Sequence, residues 1–135
     1  MATPPVVFSR LVTVSRWERD FASIRGVRIP APGPGCLQPD SEFEFELDRI
    51  HLCARVIEFV PSSRLAWSGQ GIDISTYHAW AVSGDLGRSR VLAGFAGRGA
   101  AAIAMREPDP GTTQAALDRW VADLKIAAEN PRPLA

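Results

Sequence analysis

The stretch ISTYHAWAV, residues 74–82, carries the side chains with the clearest potential for chemistry. In a strand, alternate residues share a face, so Thr76, His78 and Trp80 would point together into a core. A neutral imidazole donates from one ring nitrogen and accepts at the other, so His78 could orient a ligand hydroxyl or carbonyl. It could also move a proton near neutral pH, but no catalytic triad is visible. We interpret the row as the polar wall of an apolar pocket; the alternative is a structural histidine satisfied by Thr76 or a backbone carbonyl.

A carboxylate could reach the same place from the strand predicted at residues 51–60. The more apolar of its two alternating sets is predicted to face inward: Leu52, Ala54, Val56, Glu58 and Val60. In that orientation the side chain of Glu58 would lie at the rim of the predicted pocket. An inward carboxylate is costly unless it is paired, so Glu58 is either a functional group or a rim residue paired with an arginine such as Arg64. His78 and Glu58 are therefore the two candidates for proton transfer, and no residue is assigned as catalytic.

Aromatic side chains could supply the rest of a pocket wall. Trp67 and Trp80 could form a flat surface for a planar ligand, and Phe95 in the last strand is a further candidate for the lining. Trp17 is predicted at a helix turn near the presumed entrance. The alternative is ordinary core packing, which in a cavity fold uses the same residues. Trp120, on the last helix, is interpreted as a packing anchor.

Several other chemistries are not supported by the motifs. The two histidines and two cysteines lack zinc-ligand spacing, so no metal site is predicted. GPG at 33–35 and GRG at 97–99 match no nucleotide-binding fingerprint, and there is no Gly-x-Ser-x-Gly elbow. No cofactor is predicted. Two cysteines are also too few for a disulfide framework, which favours a cytoplasmic protein with reduced thiols.

Size and charge restrict the class of protein. A chain of 135 residues with 46% hydrophobic and 22% charged residues fits one globular domain, residues 1–135. Fifteen basic residues balance fifteen acidic ones, so neither nucleic acid nor an acidic membrane surface is an expected partner. No apolar run has the length of a membrane span, and the start of the sequence lacks the regions of a signal peptide.

The order of predicted elements gives the fold class. Helices are predicted over 4–14 and 16–23, the second with Ser15 and Glu18 as a capping box. An extended piece at 26–29 and a Pro- and Gly-rich loop at 30–40 follow. Alternation then predicts antiparallel strands at 41–47, 51–60, 64–69, 72–83 and 88–96, with residues 97–105 as the strand's end plus a connection. EPDPG at 107–111 breaks the chain before a helix at 113–129, whose apolar stripe includes Leu117, Trp120 and Leu124.

Strands grouped between helices indicate an α+β protein, in which the long last helix lies on a curved antiparallel sheet. The chain resembles the START-like, Bet v 1-like (SRPBCC) superfamily, within it the bacterial polyketide cyclase/dehydrase-like group. The similar segments are PPVVFSRLVTVSRW, ARVIEFVPSSRLAWSG, YHAWAV and ALDRWVADLKIAAE. The second has the family's V-x-E-x-x-P-x-x-x-L-x-W pattern, and the third its x-H-x-W strand. The resemblance implies a helix-grip fold, with a cavity for an apolar ligand between sheet and helix.

Two departures from the family bear on function. The family normally begins with a strand, whereas only MAT precedes the first helix here, so either the start is trimmed or the sheet lacks a strand. A missing strand would expose an edge that a second copy could cover, giving a homodimer. The family's acidic residue in the last strand is also absent from VLAGFAGRG.

Three functions follow. The first is a non-catalytic carrier or sensor for a small hydrophobic or aromatic ligand. The second is a polyketide aromatase/cyclase or dehydratase that holds a reactive chain folded. There His78 would move the proton with either Glu58 or Tyr77 as a second group, and the position of Tyr77 on the opposite face of the strand counts against it. The third is an interaction module that acts through a sheet edge or a dimer contact.

Overall fold

Six antiparallel strands form one open, curved sheet in which each strand pairs with the next along the chain. A computed structural model describes residues 2–29, 35–47, 49–85, 87–106 and 111–129. The predicted loop at 30–40 and the predicted break at 107–111 therefore lie partly outside the described residues. The α+β class and the helix-grip arrangement are confirmed.

Helices and strands are grouped along the chain and do not alternate with one another. Two N-terminal helices, α1 and α2, precede a run of strands β1 to β6, and helices α3 and α4 follow. Their bounds are α1 Pro4–Val12, α2 Trp17–Asp20, β1 Ile24–Arg28, β2 Glu42–Leu47, β3 Ile50–Val60, β4 Arg64–Gly71, β5 Ile74–Asp85, β6 Arg88–Arg98, α3 Ala100–Arg106 and α4 Thr112–Glu129.

The alternating pattern of β2 sets the two faces of the sheet. Phe43 and Phe45 are buried on the inner face, whereas Glu44 and its neighbouring glutamates point outward. This alternation of apolar and polar residues is typical of a sheet that has only one face covered. The inner face carries the core, and α4 lies across it with Trp120 and Leu124 buried, as its apolar stripe predicts.

A β-bulge in β3 overturns part of the predicted inward set. Leu52, Ala54 and Val56 are buried as predicted, but the register with β4 shifts between Val56 and Glu58. The extra residue reverses the alternation, because side chains in a strand change face at every residue. Phe59 therefore packs against the core and Val60 is exposed, which is the opposite of the prediction for Val60.

The second helix is shorter than predicted. Val14–Arg16 form a 3₁₀ turn, and α2 is a single turn rather than a helix over 16–23. Ser15 makes no capping bond to either element, and Glu18 instead accepts a hydrogen bond from the backbone N–H of Gly26 at 3.0 Å. The helix α2 ends before Phe21, because β1 begins only three residues after Phe21.

Residues 97–105 agree with the prediction only in their first part. β6 continues to Arg98, which is the predicted end of the strand, but the Ala-rich segment after Gly99 forms the helix α3, which was not predicted. Gly99 has φ +107°, and an added Cβ would collide with the carbonyl of Asp73, so glycine allows the abrupt change from strand to helix.

The sheet has two edge strands, β1 and β6. Within the described residues the chain enters α1 directly, and no strand precedes it. The homodimer that would cover an edge stays a prediction. No described helix combines the length and the apolar character needed to cross a membrane.

Candidate ligand-binding site

The row of side chains in β5 points into the core as predicted. Thr76, His78, Trp80 and Val82 are all buried, whereas Ser75 and Tyr77 are exposed. His78 retains only 1% of its accessible surface. An imidazole is rarely so deeply buried without a partner, so its surroundings decide its role.

Four rings from β4, β5 and α4 pack against one another, and we call them the aromatic cluster: Trp67, His78, Trp80 and Trp120. The ring centroid of His78 lies 5.2 Å from that of Trp67 and 5.1 Å from that of Trp120. Trp80 lies 5.3 Å from Trp120 and 6.5 Å from Trp67. Phe95 of β6 is half-buried and stands 4.5 Å from the imidazole. The structure thus brings four of the predicted lining residues together: Trp67, His78, Trp80 and Phe95.

Trp17 occupies a different position from the predicted one. It is completely buried, and its indole N–H donates to the carbonyl of Leu11 at 2.9 Å. Its ring contacts five aromatic rings on the β2 and β4 side of the core: Phe21, Phe43, Phe45, Trp67 and Trp120. Trp17 is therefore at the centre of the packed core rather than at an entrance.

Glu58 lies away from the aromatic cluster. Its side chain is 43% exposed, and its Oε1 is 3.7 Å from Nε of Arg64. This is the arginine pairing considered as the alternative for Glu58. At such exposure the pair contributes little to stability.

Polar atoms in and beside the aromatic cluster have no hydrogen-bond partner in the described part of the chain. They are buried, and there are five of them: Nε1 of Trp67, Trp80 and Trp120, Nδ1 of His78 and Oγ1 of Thr76. Leaving a buried donor or acceptor unpaired costs about 1–3 kcal/mol. Native interiors contain few such groups, and five in one place call for a partner.

A polar role for Trp120 was not predicted, because its position on the apolar stripe of α4 is typical of a packing residue. The indole N–H was the available signal, since a buried tryptophan usually finds an acceptor. Trp120 lies in the aromatic cluster, and its N–H has no acceptor among the described residues.

The imidazole of His78 is neutral at physiological pH. Burial among aromatic rings lowers its pKa from 6.5 to about 3, because the charged form loses its hydration there. A neutral imidazole has one donor and one acceptor nitrogen. It can therefore bind either type of ligand atom, but it is a weak base.

A groove lies between α4 and β6, and no residue of the aromatic cluster belongs to its lining. Its volume is about 300 Å³, at the lower end of the range for small-molecule sites. Val91, Val121 and Leu124 contribute to its apolar lining, and exposed Lys125 and Glu129 stand at its rim. Val91 pairs with Val82 of β5, two residues from Trp80.

β6 is less well covered than β5. Its inward residues Val91, Ala93 and Phe95 are only half-buried, whereas their partners in β5 are buried. The open side of the interior therefore faces β6.

Gly69 leaves room for the hydroxyl of Thr76, its partner in the register of β4 and β5. A Cβ at Gly69 would collide with Oγ1 of Thr76. We expect Gly69→Ala to lower the free energy of unfolding by about 1–3 kcal/mol, as overpacking does. Thr76→Ala in the same chain should recover most of the loss in a double-mutant cycle measured by urea unfolding.

The matched control is Gly94→Ala in β6, because nothing lies within 4 Å of a Cβ at that position. It should change the free energy of unfolding by less than about 0.5 kcal/mol. Equal losses for the two glycine substitutions would contradict this account of Gly69.

Comparison with known proteins supports the fold. No protein-family model and no curated protein matches the chain. The solved structure of hypothetical protein jhp0584 from Helicobacter pylori matches with a TM-score of 0.84 and 25% identity, over 94% of this chain and 81% of that one. Protein CV1439 from Chromobacterium violaceum matches with a TM-score of 0.70 and 11% identity, over 96% and 91%.

A third solved structure comes from a biosynthetic locus. DynU16, a protein of the dynemicin biosynthetic locus, matches with a TM-score of 0.63 and 14% identity over 98% of this chain. The match covers 46% of DynU16, so this chain spans about half of that protein. At these identities the similarity shows a shared fold.

Proposed function

We propose that this chain is a START-like (SRPBCC) domain that binds a small, planar aromatic molecule bearing carbonyl or hydroxyl oxygens. The ligand lies over the inner face of β6 and contacts the aromatic cluster. The observation that carries the proposal is the set of five buried polar atoms without a hydrogen-bond partner among the described residues.

The chemistry of those atoms defines the ligand. An indole N–H only donates, so the three indoles of the aromatic cluster require acceptors. The hydroxyl of Thr76 and Nδ1 of His78 can each complement a hydroxyl or a carbonyl. Flat aromatic surfaces favour a flat ligand, because offset stacking and edge contacts add to the burial of apolar area. A polyketide-like phenol or quinone combines both features.

The proposed entry for the ligand is the groove between α4 and β6. Most of its lining residues are apolar, and the inward residues of β6 keep part of their surface exposed. A ligand that enters there covers Val91, Ala93 and Phe95 on one side and reaches Trp120 on the other.

Binding without turnover fits the surroundings of His78 better than catalysis. Its ring contacts are aromatic: Trp67, Phe95 and Trp120. Burial is the cause of its lowered pKa, and no charged group in the described part of the chain raises that pKa toward neutral pH. A polyketide aromatase/cyclase or dehydratase remains the alternative, and DynU16 is the structural neighbour that favours it.

The test is calorimetric titration with the anthraquinone emodin, the flavanone naringenin and palmitate. We expect saturable 1:1 binding of at least one of the two oxygenated aromatic compounds. Thr76→Val keeps the shape of the site and removes one hydrogen-bonding group, whereas Trp120→Phe removes the indole N–H together with part of a buried ring. Each should weaken binding by at least about 3- to 10-fold, the value of one hydrogen bond. Thr76→Val should leave the free protein stable, and Trp120→Phe should also lower the free energy of unfolding because it leaves a cavity.

Tyr77→Phe is the control, because Tyr77 lies on the outer face of the same strand. It should bind like the wild type. Failure of both aromatic compounds to bind, or binding that ignores Trp120→Phe and Thr76→Val, would refute the proposal. Turnover of a polyketide-like chain that His78→Leu abolishes would favour the enzyme instead.

A further inference from the structure

Three potential metal ligands meet on the outer face of the sheet, away from the proposed ligand site. Glu44 of β2 stands directly opposite Cys53 of β3, and His51 precedes Cys53 by two residues, which puts it on the same face. Nε2 of His51 is 2.9 Å from Oε1 of Glu44. Sγ of Cys53 is 3.7 Å from that oxygen and 3.8 Å from that nitrogen.

This triangle has nearly the dimensions of a tetrahedral metal site. Bonds of about 2.3 Å to sulfur and about 2.0–2.2 Å to nitrogen and oxygen place tetrahedral ligands about 3.6 Å apart for pairs with sulfur and about 3.4 Å apart for nitrogen and oxygen. The two pairs with sulfur are already within about 0.2 Å of this geometry. Only the separation of His51 and Glu44 has to grow, by about 0.5 Å, and both side chains are free to move outward.

The strands hold the three ligands in place and leave them accessible. Phe43, Phe45, Leu52 and Ala54 alternate with the ligands along β2 and β3, and all four are buried. The backbone beneath the ligands is therefore anchored by the core. The side chains of His51 and Glu44 are 52% and 39% exposed, so an ion can reach them from solvent and keep a water ligand.

We propose that Glu44, His51 and Cys53 bind one Zn²⁺ ion, with a solvent molecule in the fourth position. Thiolate, imidazole and carboxylate are the three ligand types that zinc takes from proteins, and a hard cation such as Mg²⁺ would not select the thiolate. A thiolate and a carboxylate together balance the charge of the ion. Arginines also lie on this face: Arg28 of β1 stands opposite Glu44 in the register, and Arg55 is paired with Asp40 at 3.6 Å.

No metal site is predicted from the sequence, because no single segment has the ligand spacing of a zinc site. Here one segment supplies only His-x-Cys, and the third ligand comes from the neighbouring strand. The signal available in the sequence was the hairpin itself, since pairing β2 with β3 places Glu44 beside Cys53.

The test uses the reduced, metal-free full chain and Co²⁺ as a spectroscopic substitute for Zn²⁺. We expect one Co²⁺ per chain, a thiolate-to-cobalt charge-transfer band, and loss of that band when Zn²⁺ is added. Cys53→Ser should abolish the band. Glu44→Gln and His51→Gln should each lower Zn²⁺ affinity by at least about 10-fold, measured by competition with a chelating dye.

Two controls separate this site from adventitious binding. Cys36→Ser removes the other free, exposed cysteine, and Glu42→Gln removes the preceding outward carboxylate of β2, which stands opposite Arg55. Both should bind Co²⁺ and Zn²⁺ like the wild type. A wild-type complex without the thiolate band, a band that survives Cys53→Ser, or an affinity unchanged by Glu44→Gln or His51→Gln would overturn the proposal. Far-ultraviolet circular dichroism verifies that each variant is folded.

Discussion

Trp17→Ala should lower the free energy of unfolding by at least about 4 kcal/mol. Truncating a buried tryptophan costs about 3–5 kcal/mol through lost burial and the remaining cavity. Trp17 is fully buried and contacts five other aromatic rings, so the site cannot collapse easily. The substitution also removes the indole N–H that donates to the carbonyl of Leu11, so this carbonyl loses its hydrogen bond. Domains have only about 5–15 kcal/mol in total, so the variant should be close to unfolding at 37 °C.

Urea unfolding followed by far-ultraviolet circular dichroism measures this loss. Trp17→Phe, which keeps a ring but loses the donor to Leu11, should fall between the alanine variant and the wild type. Ile72→Ala is the control, because Ile72 is 89% exposed and its truncation should cost less than about 0.5 kcal/mol. A loss below about 2 kcal/mol for Trp17→Ala would contradict the central position of this residue.

Acid should destabilise the protein through His78. Its pKa is lowered from 6.5 to about 3 in the folded state, so between these values the unfolded chain binds a proton that the native state excludes. The unfolded state gains protons as pH falls, and native stability therefore decreases by up to about 1.4 kcal/mol per pH unit. His78→Leu removes this contribution. Relative to that variant, the wild type should lose about 3 kcal/mol between about pH 7 and pH 4.

The comparison of the two pH profiles isolates the histidine, because the carboxylates contribute to both. Val82→Ala is the matched control: it truncates a buried residue of the same row in β5 but keeps the imidazole. It should be less stable than the wild type with an unchanged pH dependence. Parallel profiles for the wild type and His78→Leu would mean that His78 is solvated or paired in the native state.

The sequence predicted the strands and the inward row of β5 because burial on one face imposes a period of two. EFEFEL and ISTYHAWAV follow that period without interruption, and their buried residues are the predicted ones. The apolar stripe of α4 was predictable for the same reason at helical period. These features depend on contrasts between neighbouring residues, which a sequence displays directly.

The bulge in β3 could not be predicted in this way. HLCARVIEFV has apolar residues on both faces near its end, so either alternation fits. The register with β4 decides: Val56 pairs with Trp67 and Glu58 with Ala66, which leaves Ile57 without an opposite residue and 54% exposed. Pairing between strands is a property of the tertiary structure. The shifted register places Glu58 beside Arg64 and not at the predicted rim of the pocket.

The partners of polar groups were equally inaccessible. The sequence identified His78 and Thr76 as polar residues on a core face, but not that Nδ1 and Oγ1 would lack partners in the described structure. α3 was missed for a local reason, since Gly97 and Gly99 interrupt the segment and outweighed its alanines. Of these two glycines, Gly99 alone has a positive φ, and the helix begins immediately after it.

All four tryptophans of the chain lie within the packed core, with neighbouring ring centroids 5.3–6.5 Å apart. At such separations the electronic excitation of one indole passes to another before it is emitted as light. The intrinsic fluorescence of this protein is therefore a collective property of four chromophores. A molecule that quenches one of these indoles lowers the emission of Trp17 as well, since the ring of Trp17 lies 5.4 Å from that of Trp67 and 5.8 Å from that of Trp120.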